Sequence, residues 1–167
     1  MELTDAERLI LSNQYQILAK LENDDQYAMM ADTLRRGYKW LYDDYLEHLQ
    51  PNLDNEKAEF VISVLALYSD LKGSYDDLTD KSGIDAHQIK FLGFDGNNET
   101  DLMGFANFLG KHGRFEDVLN PKGNNSHMPT VDIYRRMLNF RHDMGDVDYP
   151  YSKEQIQQLL DARKYKE

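Results

Sequence analysis

Residues 27–45 read Tyr27-Ala-Met-Met-Ala-Asp-Thr-Leu-Arg-Arg-Gly-Tyr-Lys-Trp-Leu-Tyr-Asp-Asp-Tyr45, and their spacing decides the fold class. Apolar side chains recur after four and then three residues, at Tyr27, Ala31, Leu34, Tyr38, Leu41 and Tyr45. An average interval of about 3.5 residues is typical of a helix that packs lengthwise against another helix. Because the phase continues past Gly37, the pattern predicts one long helix from about residue 25 to about residue 49, with a bend at Gly37.

Another helix is predicted to begin at Thr4, which forms a capping box with Glu7. One face of this helix carries an apolar stripe, made of Ala6, Ile10, Ile17 and Leu21 and flanked by Leu11 and Leu18. The opposite face carries Arg8, Ser12, Gln16 and Lys20. Since a half-buried helix turns its apolar stripe toward a core, we expect the first set to be buried and the second to face water.

Residues 60–68 form the longest apolar run, nine residues that include Ser63. The first interpretation is a buried central helix that Asp54 caps. A buried strand is the alternative, because several residues of the run are β-branched. Convincing alternation of polar and apolar residues occurs nowhere in the sequence, so an all-α fold is favoured. The run is also too short to span a bilayer, which needs about 18 residues.

The second half of the sequence predicts more helices. They are a short one from Asp85 into Phe91, one from about residue 99 to 111 with Asn98 as its cap, one from about 130 to 144, and one from Ser152 to about 164. Residues 116–128 read as an irregular loop, of a length that is usually functional or mobile. The expected architecture is therefore a single multihelical domain, residues 1–167, of about six to seven helices.

The composition describes a folded protein of ordinary domain size. The 167 residues are 41% hydrophobic and 29% charged. Cysteine is absent, which excludes disulfides, thiol catalysis and cysteine-ligated metals and suits a reducing compartment. Residues 1–5 lack the features of a signal peptide. We therefore expect a cytoplasmic protein without a membrane span.

The net charge of −11 makes binding to nucleic acid unfavourable. An acidic chain repels phosphate backbones at long range, and only Arg135, Arg136 and Arg141 approach a basic stripe. Nucleic acid is therefore not an expected partner.

The candidate functional patch is residues 134–142, where three arginines and a histidine share one predicted helix. Arg135, Asn139 and His142 lie on its polar face, and these groups can hold a phosphate or carboxylate. The alternative is a solvated face whose arginines pair with nearby acids. Two arginines on this helix carry more specific expectations: Arg136 pairs with Asp132, and Arg141, in the apolar arc, extends toward water or pairs internally.

No metal site is predicted. Residues 95–99 alternate as in a calcium-binding loop, but Thr100 stands where that loop needs glycine and Ala106 where it needs glutamate. A glycine-assisted turn that buries Phe91 and Phe94 is expected there instead.

Asp44 and His48 are spaced to share a metal on one helix, yet no second carboxylate–histidine pair supports them. The sequence also lacks a phosphate-binding loop and a nucleophile elbow. We predict no cofactor and no catalytic residue.

Four blocks of the sequence form a recognisable pattern. They are residues 8–15 (Arg-Leu-Ile-Leu-Ser-Asn-Gln-Tyr), residues 36–38 (Arg-Gly-Tyr), residues 91–95 (Phe-Leu-Gly-Phe-Asp), and Tyr134 with Arg136, Met137, Leu138, Asn139 and His142. Together they resemble the YfbU family of small bacterial proteins, over nearly the whole chain and most loosely from residue 43 to 90. The resemblance implies a bacterial, cytoplasmic, mainly helical protein that forms homo-oligomers, and it implies no reaction.

The first functional hypothesis is a non-catalytic, self-associating interaction or regulatory protein. Its candidate interface residues are Tyr27, Leu34, Tyr38, Trp40, Leu41 and Tyr45. Trp40 projects from the polar side of the second helix, so either it marks an interface or the next helix covers it.

The alternative is a binding protein or enzyme for a small phosphorylated or carboxylated metabolite. Arg135 and Arg141 lie outside the family pattern, so the candidate anion site narrows to Arg136, Asn139 and His142, with Arg114 as a fourth member. In this hypothesis Arg136 clamps the anion, Asn139 orients it and His142 acts as acid or base.

Overall fold

The computed structural model describes residues 2–46, 49, 52–120, 122–145 and 149–164. This part of the chain contains seven α-helices: α1 (Asp5–Glu22), α2 (Asp25–Arg36), α3 (Lys39–Leu46), α4 (Asn55–Asp77), α5 (Thr100–Lys111), α6 (Val131–Asp143) and α7 (Lys153–Asp161). An isolated bridge between Phe94 and Asn125 is the one strand-like pairing in these ranges. The predicted all-α class and helix number are confirmed, and α4 rules out a strand at residues 60–68.

The chain forms two compact units, residues 1–52 and 53–167. In its described residues, each unit has its own hydrophobic cluster. The first cluster is small, with Met30, Leu34 and Tyr42 at its centre. The single domain expected from the chain length stays a prediction.

The first unit contains a pair of helices joined by a tight turn. α1 begins at the predicted capping box, where the Thr4 amide donates to Glu7 Oε2 at 2.8 Å and the Glu7 amide donates to Thr4 Oγ1 at 3.3 Å. At the other end Asn23 adopts a left-handed conformation, and Asp24 caps α2 by accepting from the Gln26 amide at 2.8 Å. The chain thus reverses, and α2 packs along α1.

α1 presents to α2 part of the face that was expected to meet water, namely Arg8 and Ser12, whereas Gln16 and Lys20 of that face are exposed. Ser12 is fully buried, and its hydroxyl donates to the carbonyl of Ala31 at 2.8 Å. Arg8 Nη1 donates to the carbonyl of Leu34 at 3.4 Å. The apolar stripe faces solvent, with exposed fractions of 57%, 58% and 76% at Ile10, Ile17 and Leu21. The predicted burial of Ile10, Ile17 and Leu21 is therefore wrong. The packed face is centred on Ser12, which fits closely because its hydroxyl has a backbone acceptor, and on the flanking Leu11 and Tyr15, which pack against the small cluster.

Gly37 ends α2, so the predicted long helix at residues 25–49 is also wrong. Gly37 has a φ of +70°, and its amide donates to the carbonyl of Leu34 at 3.2 Å. The Tyr38 amide donates to the carbonyl of Thr33 at 3.1 Å. These are the hydrogen bonds of a left-handed helix terminus, for which glycine is strongly preferred. After the break, Tyr42 is buried, whereas the seam residues Tyr38 and Leu41 are about half exposed, so the regular spacing does not predict the buried face there.

α4 is the central helix of the second unit, as its apolar run predicts. Its side chains at Val61, Val64, Leu65, Leu67, Tyr68 and Leu71 are at most 1% exposed. α5, α6 and α7 all pack against it. The core of this unit therefore surrounds α4.

The turn at residues 91–95 adds aromatic rings to that core. Phe91, Phe94 and Tyr134 lie 5.5–5.6 Å apart between ring centroids. The Tyr134 hydroxyl donates to the carbonyl of Gly93 at 2.8 Å. A Cβ on Gly93 would lie 2.6 Å from the backbone of Asn124, so only glycine fits. The expected turn that buries Phe91 and Phe94 is confirmed.

A buried carboxylate, Glu99, joins this turn to the start of α6. Glu99 Oε1 accepts from the amides of Thr130 and Val131 at 2.7 and 2.9 Å. Glu99 Oε2 accepts from the Asp95 amide and the Thr130 hydroxyl, both at 2.9 Å. The side chain of Glu99 thus satisfies amides that the first turn of a helix leaves without intrahelical partners.

Two local predictions near this turn are wrong. Asp85 accepts from the His87 amide at 2.9 Å, as a cap would, but residues 86–89 form only a turn and not a short helix. Asn98 does not cap α5, because its amide side chain donates to the carboxylate of Asp95. The second capping box, at Ser152 and Gln155, is present as predicted and begins α7.

Replacing Gly37 with alanine is expected to destabilise the protein by about 1 kcal/mol or more. The positive φ disfavours a Cβ, which would also lie 2.5 Å from Arg8 Nη1. Gly104→Ala is the matched control: Gly104 lies inside α5 with open space around it, so alanine should stabilise there by up to about 1 kcal/mol. Urea denaturation measures both, and a stabilised Gly37→Ala protein would mean that residues 25–49 form one helix after all.

Replacing Glu99 with glutamine is expected to lower the free energy of unfolding by about 3 kcal/mol. Glutamine can keep its oxygen on the Thr130 and Val131 amides, but its NH2 group then faces the buried Asp95 amide, which loses its acceptor and meets a second donor. The exposed Glu116→Gln, in the following loop, should change stability by less than about 0.5 kcal/mol. Equal effects of the two substitutions in urea denaturation would show that the buried carboxylate does not hold α6.

Candidate functional site

The predicted anion-binding residues lie on α6, whose first turn Glu99 holds in place. Arg136 Nη2 donates to the carbonyl of Arg163, just beyond α7, at 2.6 Å. Asn139 and His142 are exposed. This hydrogen bond fastens the end of α7 to α6.

His142 and Arg141 line a groove of about 650 Å³ between α4 and α6. Its walls are mixed: the apolar residues are Ile62, Ala66, Leu138, Met144 and Tyr151, and Ser63, Arg141 and His142 add polar surface. Arg141 Nη2 pairs with Asp70 Oδ2 on α4 at 2.7 Å, and both side chains are about one-third exposed. The expected internal pairing of Arg141 is confirmed, and the pair neutralises the positive charge on one wall of the groove.

The four members of the predicted anion site point to different surroundings. Six residues separate Arg136 from His142, which places them about 120° apart around the helix axis. Arg136 reaches Arg163, whereas His142 lines the groove on the α4 side. Arg114, after α5, has its guanidinium 6.0 Å from the Phe115 ring. The geometry thus separates the proposed clamp from the proposed acid or base.

The polar face of α6 is partly neutralised. Asp132 pairs with Arg135 at 3.9 Å, where the sequence led us to expect Arg136. The Arg135 guanidinium also lies 6.0 Å from the Phe60 ring. Among the described residues no group of three or more acidic or histidine side chains is placed to hold a metal. His48, which the sequence pairs with Asp44, lies outside those residues.

The predicted interface residues divide into three groups. Trp40, Tyr38 and Leu41 are exposed, with fractions of 83%, 52% and 46%. Leu34 is buried in the cluster of its own unit at 2% exposure, so it cannot meet a partner and that assignment is wrong. Tyr27 stacks on Tyr15 at 6.1 Å, and the side chain of Tyr45 lies outside the described part of the structure.

Trp40 has an exposed fraction of 83%. A tryptophan this exposed is uncommon on the surface of a monomer and is enriched in contact surfaces.

The apolar stripe of α1, defined here as Ala6, Ile10, Ile17 and Leu21, is the surface that the sequence analysis missed. Its regular spacing was interpreted as that of a buried face. Arg8 and Ser12 lie on the opposite face of the same helix. A small residue among long polar ones, at a spacing of four, was the available signal that the polar face could pack against a neighbour. The stripe is the most regular exposed apolar surface of the first unit.

The fold and these surfaces define a small, all-α protein with an exposed apolar helix face. Within the described ranges, none of the helices has the length and apolar character needed to cross a membrane.

Comparison with known proteins identifies the group to which such a chain belongs. The model of the YfbU domain matches residues 1–162. The chain is also 33% identical over 172 residues to UPF0304 protein MJECS11 of Methanocaldococcus jannaschii, which covers 96% of this chain and 99% of that protein. The protein therefore belongs to the YfbU family, as the four sequence blocks indicate. Neither description names a reaction, a ligand or a partner.

Proposed function

We propose that the protein is a non-catalytic, self-associating interaction or regulatory protein of the bacterial cytoplasm, and that the apolar stripe of α1 contacts a second copy. The supporting observation is the orientation of α1, which buries Ser12 and leaves Ile10, Ile17 and Leu21 more than half exposed. Each such side chain gains about 1.5–3 kcal/mol when a partner fully covers it. A row of exposed apolar residues is characteristic of a protein contact surface.

The stripe is self-complementary. Ile10 and Ile17 are equally distant from the midpoint between residues 13 and 14, and so are Ala6 and Leu21. A two-fold axis at that midpoint pairs two antiparallel α1 helices, with Ile10 opposite the partner's Ile17 and Ala6 opposite the partner's Leu21. A symmetric dimer requires a surface that matches itself, and a small residue opposite a large one suits close helix packing.

The charges of α1 favour the same arrangement. Its first turn carries Asp5 and Glu7, and its last turn carries Lys20. An antiparallel copy brings Lys20 beside the partner's acidic first turn and sets the two helix dipoles in opposite directions. These charges support a second copy of this chain as the occupant of the stripe. Trp40, with its exposed ring, supplies a further contact surface in the same unit.

The alternative, a site for a small phosphorylated or carboxylated metabolite at Arg136, Asn139 and His142, has weaker support. Arg136 is engaged by the carbonyl of Arg163, and His142 lies about 120° away around α6. A single small anion held by both would have to bridge side chains that leave the helix in different directions. We therefore place self-association first.

Replacing Ile17 with glutamate is expected to raise the dissociation constant of the dimer at least tenfold, or about 1.4 kcal/mol, because a carboxylate would be buried between the paired stripes. Phe108→Glu is the control, since Phe108 is 59% exposed on α5 and receives the same charge. Sedimentation velocity over a range of micromolar concentrations measures both. A chain that stays monomeric throughout, or an equal effect of the two substitutions, would refute the proposal.

The antiparallel register can be tested by disulfide trapping, because the chain has no cysteine of its own. A mixture of Ile10→Cys and Ile17→Cys proteins should form the mixed disulfide dimer faster than either protein alone forms its own, since only the mixed pair is opposed. Non-reducing electrophoresis after mild oxidation measures the yields. If each protein alone cross-links as well as the mixture, the two helices do not meet in this register.

A further inference from the structure

The second unit contains a cavity of about 440 Å³ that neither the self-association proposal nor the family description uses. It lies between the C-terminal half of α4, the connection at residues 86–91, and the loop at residues 117–124. Its volume falls within the range of small-molecule sites, about 300–1,000 Å³. The loop is part of the irregular stretch whose length is unusual for a segment without function.

The cavity wall is mainly aromatic and aliphatic. Phe91, Ile89 and Leu119 line it at 5–6% exposure, and Tyr75 contributes a partly buried ring. Flat apolar walls of this kind accommodate an aromatic body.

Most polar side chains at the cavity rim already have partners. Asp76 accepts from Lys72 Nζ at 2.6 Å, and Asp117 accepts from the Ser69 hydroxyl at 2.5 Å. Asn124 Oδ1 accepts from the Asn120 amide at 2.8 Å. The carboxylates and this amide oxygen therefore serve the protein itself and are poorly placed to select a ligand.

Lys90 is the exception at the rim. Its ammonium group has no ion pair or hydrogen bond with any residue in the described ranges. We infer that the cavity binds a small aromatic carboxylate, whose ring lies against Tyr75, Phe91 and Leu119 and whose carboxylate pairs with Lys90. A lysine ammonium recognises such an anion as a point charge, without demanding a fixed orientation.

The test compares 2-naphthoate with its neutral counterpart, 2-naphthamide, in ¹H–¹⁵N NMR titrations of the intact protein. Saturable shifts are expected at residues 86–91 and 117–124, and the carboxylate should bind about fivefold more tightly than the amide. Lys90→Gln should abolish this preference, whereas Lys111→Gln, an equal charge change on α5 outside the cavity, should preserve it. Ala86→Trp should fill the cavity and weaken binding of both compounds.

Three results would overturn the inference. One is the absence of saturable shifts in these two segments. Another is shifts confined to residues 6–21, which would place the compounds on the apolar stripe of α1. The third is a preference for the carboxylate that survives Lys90→Gln.

Discussion

The second unit depends most on the carboxylate of Glu99. Its two oxygens accept four hydrogen bonds, three of them from Thr130 and Val131 at the start of α6 and one from the Asp95 amide. The same region places Gly93 where its carbonyl accepts from Tyr134 and where Phe91 and Phe94 meet the core around α4. A carboxylate buried this deeply is tolerable because backbone amides donate to both of its oxygens. The positions of α6, and of the arginines and histidine that it carries, follow from that contact.

The predictable part of the fold is the part set by local chemistry. Capping boxes at Thr4 and Ser152 begin α1 and α7, and the apolar run at residues 60–68 becomes the central helix, because neither feature needs a distant partner to be recognised. A continuous helix through Gly37 was predicted because the hydrophobic spacing continues past it. The helix ends there instead, because the backbone forms the hydrogen bonds of a left-handed helix terminus. The role of Glu99 could not be assigned from sequence, since the helix start that it holds, at Thr130 and Val131, lies more than thirty residues away.

The candidate sites show the same division. Arg141 was expected to extend toward water or to pair internally, and it pairs with Asp70. A cation on the apolar side of a helix must reach either water or an acidic side chain. The grouping of Arg136 with His142 rested on one helix alone, and the neighbouring helices α7 and α4 draw the two side chains to different sides. The exposed stripe of α1 reverses the usual rule that apolar faces turn inward, so periodicity alone gives the wrong orientation. Only the burial of Ser12 reveals it.

The contact between Glu99 and Thr130, 31 residues apart, closes α5 and the loop after it into a ring. Enlarging a closed ring of this kind costs little, about 0.6 kcal/mol for each doubling of its length. Residues can therefore be inserted into the exposed parts of this loop, away from buried Leu119 and from the Phe94–Asn125 bridge, while α6 still starts at the same place. Evolution can reshape one wall of the adjacent cavity in this way, and the core around α4 need not change.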